Sequence, residues 1–121
     1  MGGALLSSHP KAASLVERIR AALAGVRGVE EKRMFGSTAF LVRGKLCLSA
    51  RDSRIMCRID PATHAVLAKR PGCRTVRMRG RAYPGYLHVG AGALRTSRAL
   101  NFWVARALDY NRRLPDRKRP K

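Results

Sequence analysis

The chain has 121 residues, of which 45% are hydrophobic, and a formal net charge of +19. This length suits one domain that buries a core without disulfides or a metal. The 26 Lys and Arg against 7 Asp and Glu indicate an anionic partner, because a field of this size attracts nucleic acid, acidic proteins or anionic membranes. Biased codon use explains a preference for Arg over Lys but not the shortage of acids.

The cysteines and the apolar runs indicate the cellular compartment of the protein. Cys47, Cys57 and Cys73 are odd in number and lack the spacing of a metal site, so we expect reduced thiols. Cys47 and Cys57 lie in apolar contexts typical of buried structural cysteine. No run has the length of a membrane span or the pattern of a signal peptide, which predicts a soluble, cytoplasmic protein with no membrane partner.

The first part of the chain predicts a flexible leader and a helix. Residues 1–10 are rich in Gly and Ser and form the leader. From residue 11, apolar residues recur at intervals of three and four, which places them on one helix face. These residues are Ala12, Leu15, Val16, Ile19, Ala22, Leu23 and Val26. Gly25 and Gly28 are expected to end this helix.

The next stretch predicts a β-hairpin and a third strand. Residues 38–42 and 45–48 are apolar runs that meet at Arg43-Gly44, where glycine allows a tight turn. The charged residues 30–33 are predicted to be a connecting segment before the hairpin. Among the aromatic residues, Phe35, Phe40, Phe102 and Trp103 are assigned to the core. Residues 54–59 then alternate between basic and apolar, the period of a half-buried strand.

A short helix and two further strands follow. Asp60 is a good N-cap for a helix over residues 61–69, with Pro61 at its first position. Residues 74–81 alternate, which places Arg77, Arg79 and Arg81 on one strand face at spacings of ~6.6 Å. A turn is expected at residues 83–85, and the last strand at residues 86–89.

The chain closes with a second long helix. Thr96 or Ser97 is a suitable N-cap, and helical spacing continues through Arg113. Residues 115–121 are basic and rich in proline, so we expect a disordered tail and a folded domain over residues 11–114. The predicted fold is α+β: one antiparallel sheet of about five strands, with two long terminal helices packed on it and one short inserted helix.

Several residues carry a family resemblance. They are Arg33, Met34, Phe35 and Gly36, the turn residue Gly44, Gly85 between Pro84 and Tyr86, and Trp103. In order and spacing they resemble the N-terminal domain of the TfoX/Sxy family over residues 15–114, although Ser37 and Gly90 stand where the family usually has Gly and Pro. The resemblance implies a secretion-chaperone-like fold. It also implies a regulatory role of the kind that longer members have in competence and in transcription with the cyclic-AMP receptor protein.

Neither the residues nor the resemblance supplies a catalytic site. The three histidines are His9, His64 and His88, and only His88, in an apolar strand, merits consideration as a catalytic group. No Ser or Cys is paired with a His and a carboxylate in a recognisable pattern, and no phosphate-binding glycine loop or metal-ligand spacing occurs. We therefore expect a protein that is not an enzyme and has no cofactor or metal.

The basic residues are the best candidates for a site. We expect nucleic-acid binding by a strand face and by the C-terminal region, through Arg54, Arg58, Arg77, Arg79, Arg81, Arg112, Arg113, Arg117, Lys118 and Arg119. Phosphate contacts of this kind give affinity without sequence information, so specificity should be low, with DNA preferred to RNA as the ligand.

Two kinds of protein are alternative binding partners to nucleic acid. One is a transcription factor, and the other is an acidic protein that docks on the sheet or on an edge strand of an adaptor. An exposed strand edge would also permit a homodimer.

Overall fold

Six strands form one antiparallel sheet in the computed structural model, which describes residues 13–115. They are β1 (Val29–Met34), β2 (Ser37–Val42), β3 (Lys45–Ala50), β4 (Arg54–Arg58), β5 (Cys73–Met78) and β6 (Arg81–Gly90). Their order across the sheet is β1-β2-β3-β4-β6-β5. The α+β class and the antiparallel sheet are confirmed, with one strand more than predicted. The predicted leader, residues 1–10, and all of the predicted tail except residue 115 lie outside the described range.

The helices are α1 (Leu15–Ala22), α2 (His64–Leu67) and α3 (Ser97–Arg113), with short 3-10 turns at Pro61–Thr63 and Ala91–Ala93. α1 begins later than the predicted run because Ser14 caps it, and it ends at Ala22, before Val26. The Ser14 hydroxyl accepts a hydrogen bond from the Glu17 amide at 3.0 Å, and the Glu17 carboxylate accepts one from the Ser14 amide at 2.9 Å. This reciprocal capping box fixes where the helix begins. None of the helices within residues 13–115 is long and apolar enough to cross a lipid bilayer.

The additional strand is β1, which the sequence had suggested to be only a charged lead into the hairpin. It pairs with β2 along its whole length, from Val29 opposite Val42 to Met34 opposite Ser37. All its side chains after Val29 are exposed. Because an edge strand with both faces in solvent needs no apolar alternation, the periodic pattern that marks other strands is absent here.

Three hairpins turn through two-residue loops in which a residue with positive φ precedes glycine. Arg43-Gly44 confirms the predicted turn, with φ of 54° and 79°, and Arg79-Gly80 has nearly the same geometry, with φ of 52° and 79°. Phe35-Gly36 is the third, with φ of 51° and 77°. Positive φ at both positions matches the right-handed twist of the flanking strands. Phe35 is 90% exposed, so its assignment to the core is wrong.

The core lies between one face of the sheet and the two long helices. α1 and α3 both pack on this covered face, where Phe40, Leu48 and Ile55 are fully buried and Trp103 is 3% exposed. Cys47 and Cys57 are buried there as predicted. Loss of hydration raises the pKa of Cys47 to about 12 and also raises the pKa of Cys57, which makes both thiols poor nucleophiles.

The turn predicted at residues 83–85 is instead an irregularity inside β6. Thr75 of β5 pairs with Leu87, but Arg77, two residues later, pairs with Ala82. β6 therefore has more residues than β5 between these two pairs, and the extra residues form a bulge. Gly85 has a φ of 93°, and a Cβ there would lie 3.2 Å from Pro61 Cγ. The glycine therefore allows β6 to bend where it passes the chain before α2.

A buried lysine fixes the C-terminal end of α3. Lys45 Nζ donates to the carbonyl oxygens of Asn111 at 3.0 Å and Leu114 at 2.7 Å. The positive ammonium group thus satisfies carbonyls at the negative end of the helix dipole. At the other end, the Thr96 hydroxyl accepts from the Ala99 amide at 3.0 Å, so Thr96 rather than Ser97 is the N-cap.

Candidate nucleic-acid interface

The face of the sheet opposite the helices carries a groove of about 350 Å³, here called the open-face groove. Its apolar lining consists of Met34, Phe35, Ala39, Leu46, Met56, Val76 and Met78, and its polar lining of Ser37, Ser49, Arg51, Arg54, Arg77 and His88. No Asp or Glu is among these residues. The groove is thus apolar with basic side chains and has no acidic group of its own.

Strand register explains which side chains reach this face. Ser49, Met56 and His88 lie opposite one another across β3, β4 and β6, and Arg74 of β5 lies opposite His88. Because directly paired residues point to the same side of a sheet, these four share the open face. Their sequence neighbours Leu48, Cys57 and Leu87 are fully buried on the covered face.

Two hairpins border the groove. Met34 and Phe35 come from the β1–β2 turn, whereas Val76, Arg77 and Met78 come from the end of β5. β1 and β5 are the two edge strands of the sheet. Residues from opposite edges line one groove, so the sheet curves around its open face.

Arg51 holds the β1–β2 turn in place. Its Nε donates to the Ser37 hydroxyl at 2.9 Å, and its Nη2 donates to the Phe35 carbonyl oxygen at 2.8 Å. The guanidinium group is therefore fixed at the backbone of the turn that carries the exposed Phe35. Both acceptors are neutral, so these hydrogen bonds form no ion pair with the guanidinium group.

Arg54 and Arg77 are further basic residues of the groove lining. Arg77 Nη2 donates to the Gly80 carbonyl oxygen at 2.9 Å, which fixes the guanidinium near the β5–β6 turn. Within residues 13–115, no carboxylate forms a salt bridge with either arginine. Partial burial lowers the pKa of His88, and the charges of Arg54 and Arg51 lower it further, which favours the neutral imidazole.

The predicted stripe of Arg77, Arg79 and Arg81 does not exist as one strand face. β5 ends at Met78, Arg79 is the first residue of the type I′ turn, and Arg81 begins β6 opposite Met78. The alternation of basic and other residues in the sequence continues through the Arg79-Gly80 turn, although the strand ends before it. Arg77 does line the open-face groove, as does Arg54.

The other predicted basic residues lie elsewhere or outside the described range. The guanidinium carbon of Arg58 is 5.8 Å from the Tyr86 ring centre and 5.9 Å from that of Tyr110. Arg113 forms an ion pair with Asp60 at 2.9 Å and a longer one with Asp109 at 3.8 Å, so its charge is partly neutralised.

Arg112 borders a separate hollow with Arg27 and Arg43. Arg117, Lys118 and Arg119 lie outside residues 13–115. The structure thus brings together only two of the predicted residues, Arg54 and Arg77, in the open-face groove.

Sequence reasoning missed two groove residues, Arg51 and Phe35, and a further basic residue of the open face, Arg74. Arg51 follows β3 in a turn, so no periodic pattern indicated its direction, and Arg74 was not singled out beside the supposed stripe. Phe35 was assigned to the core because it is a large apolar residue. The glycine that follows it was the signal for a turn, the same signal that correctly identified Arg43-Gly44.

His64 has a structural role, and His9 lies outside the described residues. His64 is buried; its Nδ1 accepts from the Gly85 amide at 2.8 Å, and its Nε2 lies 2.8 Å from the Thr75 hydroxyl. These contacts tie α2 to the bulge of β6. In the part of the chain that the structure describes, no group of three His, Cys, Asp or Glu residues is placed to hold a metal ion.

Comparison with known proteins gives one match. A family model for the TfoX N-terminal domain matches residues 21–110. No curated protein and no solved structure matches the chain. The matched family is not known to be enzymatic, and the match indicates a regulatory or competence-related module.

Residues of the family motif occupy turns, a bulge and the core. Arg33 and Met34 end β1, and Gly36 and Gly44 provide positive φ in two hairpin turns. Gly85 lies at the bulge, and Trp103 is buried against the sheet. Most of these residues therefore shape turns, the bulge or the core, and Met34 also belongs to the groove lining.

Proposed function

Because this chain belongs to the TfoX N-terminal domain family, we propose that it is a non-enzymatic regulatory module that binds nucleic acid through the open-face groove. The observation that carries the proposal is the groove's charge. Arg51, Arg54 and Arg77 line it, and no acidic residue does. A phosphate backbone is the common biological ligand with the opposite charge.

The chemistry predicts how such binding behaves. Each phosphate neutralised by an arginine releases counterions, so affinity falls as salt rises. The contacts position the backbone without reading base edges, which gives low sequence specificity. We expect DNA rather than RNA as the ligand and a role in transcription or competence, with the basic C-terminal residues adding affinity.

The alternative is an adaptor that docks an acidic protein. Three methionines, Met34, Met56 and Met78, line the groove, and flexible methionine side chains are frequent on surfaces that accept apolar anchors of a protein partner. The two functions differ in nuclease sensitivity. A complex recovered from cells that survives nuclease digestion favours the adaptor, whereas loss of the complex favours nucleic acid.

The test compares two variants with the same change in charge. Arg54→Gln/Arg77→Gln removes two positive charges from the groove. Arg95→Gln/Arg98→Gln removes two exposed charges near the start of α3, on the side of the covering helices. Fluorescence anisotropy with labelled duplex and single-stranded oligonucleotides is measured over a salt series, after thermal melting confirms that both variants fold.

The expected result is a difference in salt dependence. The groove variant should bind more weakly, and the slope of log K against log salt should fall by about 0.7–0.9 for each lost phosphate contact. The control variant should retain the wild-type slope. Equal effects of the two variants would show that binding follows total charge rather than the groove, and this would contradict the proposal.

A further inference from the structure

Phe35 is the most unusual residue of the open face. It occupies the first position of a type I′ turn at a φ of 51°, a conformation that costs a bulky side chain energy. Its ring is 90% exposed and contributes little to the core. Asn, Asp or Gly would suit this turn better, so the requirements of the fold do not explain the aromatic ring.

We propose that Phe35 is a stacking platform for an unpaired base, so that the open-face groove prefers single-stranded to duplex nucleic acid. This inference rests on the proposed function and names its ligand class. Aromatic rings beside a basic groove are the usual means of binding single strands without sequence preference, because every base has a face that stacks.

The surroundings of Phe35 supply the other part of such a site. Arg51 donates a hydrogen bond at 2.8 Å to the Phe35 carbonyl oxygen, which fixes a positive charge at the backbone of the same residue. Arg54 and Arg77 lie along the same groove. A strand whose base stacks on Phe35 therefore has basic groups near its neighbouring phosphates.

The apolar lining favours a flexible strand over a duplex. Leu46, Met56 and the exposed Met78 offer surface to the faces of bases, which a duplex keeps stacked inside its helix. A duplex presents its phosphates to the arginines but leaves the ring and this lining unused. The expected preference therefore depends on Phe35, whereas the affinity common to both ligands depends on the arginines.

The experiment uses the full chain with Phe35→Ala and Phe35→Trp, the second variant retaining an aromatic ring. Anisotropy is measured at one salt concentration with a single-stranded oligonucleotide, its duplex and a single strand of abasic sites. Phe35→Ala should weaken single-strand binding by about fivefold to a hundredfold, as expected for one lost stacking contact, and duplex binding by less than about twofold. Phe35→Trp should retain single-strand binding, and its fluorescence should be quenched by the single strand but not by the abasic strand.

The outcomes separate this inference from the proposed function. If Phe35→Ala has the same effect on single strand and duplex, or none, while Arg54→Gln/Arg77→Gln still weakens binding, the stacking role is wrong and the proposed function stands. If wild type binds none of the oligonucleotides, both fail. If a peptide of alternating acidic and apolar residues binds in a Phe35-dependent manner while oligonucleotides do not, the ring serves a protein partner, and the inference is overturned. Circular dichroism of each variant checks its folding.

Discussion

The two faces of the sheet differ in what their residues do. On the covered face, Phe40, Leu48, Cys57 and Leu87 are fully buried beneath α1 and α3. On the open face, Met78 is 54% exposed and Phe35 is 90% exposed, with arginines between them. The covered face therefore provides most of the buried core, whereas the open face leaves apolar and basic groups accessible to a ligand.

The largest expected effect lies on the covered face. Trp103→Ala should lower the free energy of unfolding by about 3–5 kcal/mol, because it removes a buried aromatic ring and leaves a cavity. Urea denaturation followed by circular dichroism measures the change. A loss below about 1 kcal/mol would show that α3 is not packed on the sheet as described, and the comparison of the two faces would fail.

A smaller loss is expected at the end of α3. Lys45→Met keeps the apolar stem but removes hydrogen bonds to the Asn111 and Leu114 carbonyls. Charged hydrogen bonds of this kind contribute about 1.5–3 kcal/mol. Hydrogen exchange should show faster exchange in the last turn of α3, with little change in α1. Unchanged exchange there would mean that the lysine does not hold the helix end.

The open face should show its own pH dependence through His88. Its pKa is lowered from the ordinary 6.5 by partial burial and by the charges of Arg54 and Arg51, and Arg74 of β5 lies opposite it. The folded state therefore binds fewer protons than the unfolded state. His88 contributes stability that is complete above about pH 6.5 and is lost as pH falls through the lower pKa of the folded state.

The His88→Gln variant isolates this contribution from those of the other histidines. Melting temperatures of wild type and variant are compared between pH 7.5 and 5. The wild type should lose more stability over this interval, and Arg54→Gln should reduce that loss by removing one nearby charge. Parallel curves for wild type and His88→Gln would exclude His88 as the source of the pH dependence.

The smallest effect, opposite in sign, is expected at Phe35. Phe35→Asn should raise the free energy of unfolding by up to about 1 kcal/mol, because Asn tolerates positive φ better than a bulky residue does. Urea denaturation measures the change, with Phe40→Ala as the buried control that should lower stability by about 3–5 kcal/mol. A clear loss of stability in Phe35→Asn would show that the ring supports the fold.

Much of the covered face was predictable from the sequence, because periodicity reports burial. The spacing from Leu100 to Ala107 and the alternation around Ile55 and Cys57 identified the buried side of α3 and β4. The Asp60 cap was also predictable, since the Ala62 amide donates to its carboxylate at 2.8 Å. Helix periodicity, strand alternation and N-caps each depend on residues that are close in sequence, so the sequence alone indicates them.

The open face was harder to predict because the exposed residues on it are not marked by a periodic pattern of apolar residues. β1 has no apolar alternation, and the bulge near Gly85 changes the register of β6 in a way that spacing does not reveal. The Arg77 to Arg81 pattern crossed a turn at Arg79-Gly80, so its three arginines do not share one strand face. Curvature of the sheet, which brings the two edge strands to one groove, arises only in three dimensions.

The most direct test of the account compares the two faces in one experiment. The sequence contains four methionines, and Met34, Met56 and Met78 all line the open-face groove, whereas Trp103 is buried on the covered face. NMR spectra with labelled methionine methyl groups and the indole N–H of Trp103 are recorded during titration with a single-stranded oligonucleotide. We predict that the three groove methyl signals shift with saturation while the indole signal does not. A titration in which the oligonucleotide binds and these three methyl signals stay unchanged would contradict the assignment of the open-face groove as the binding site.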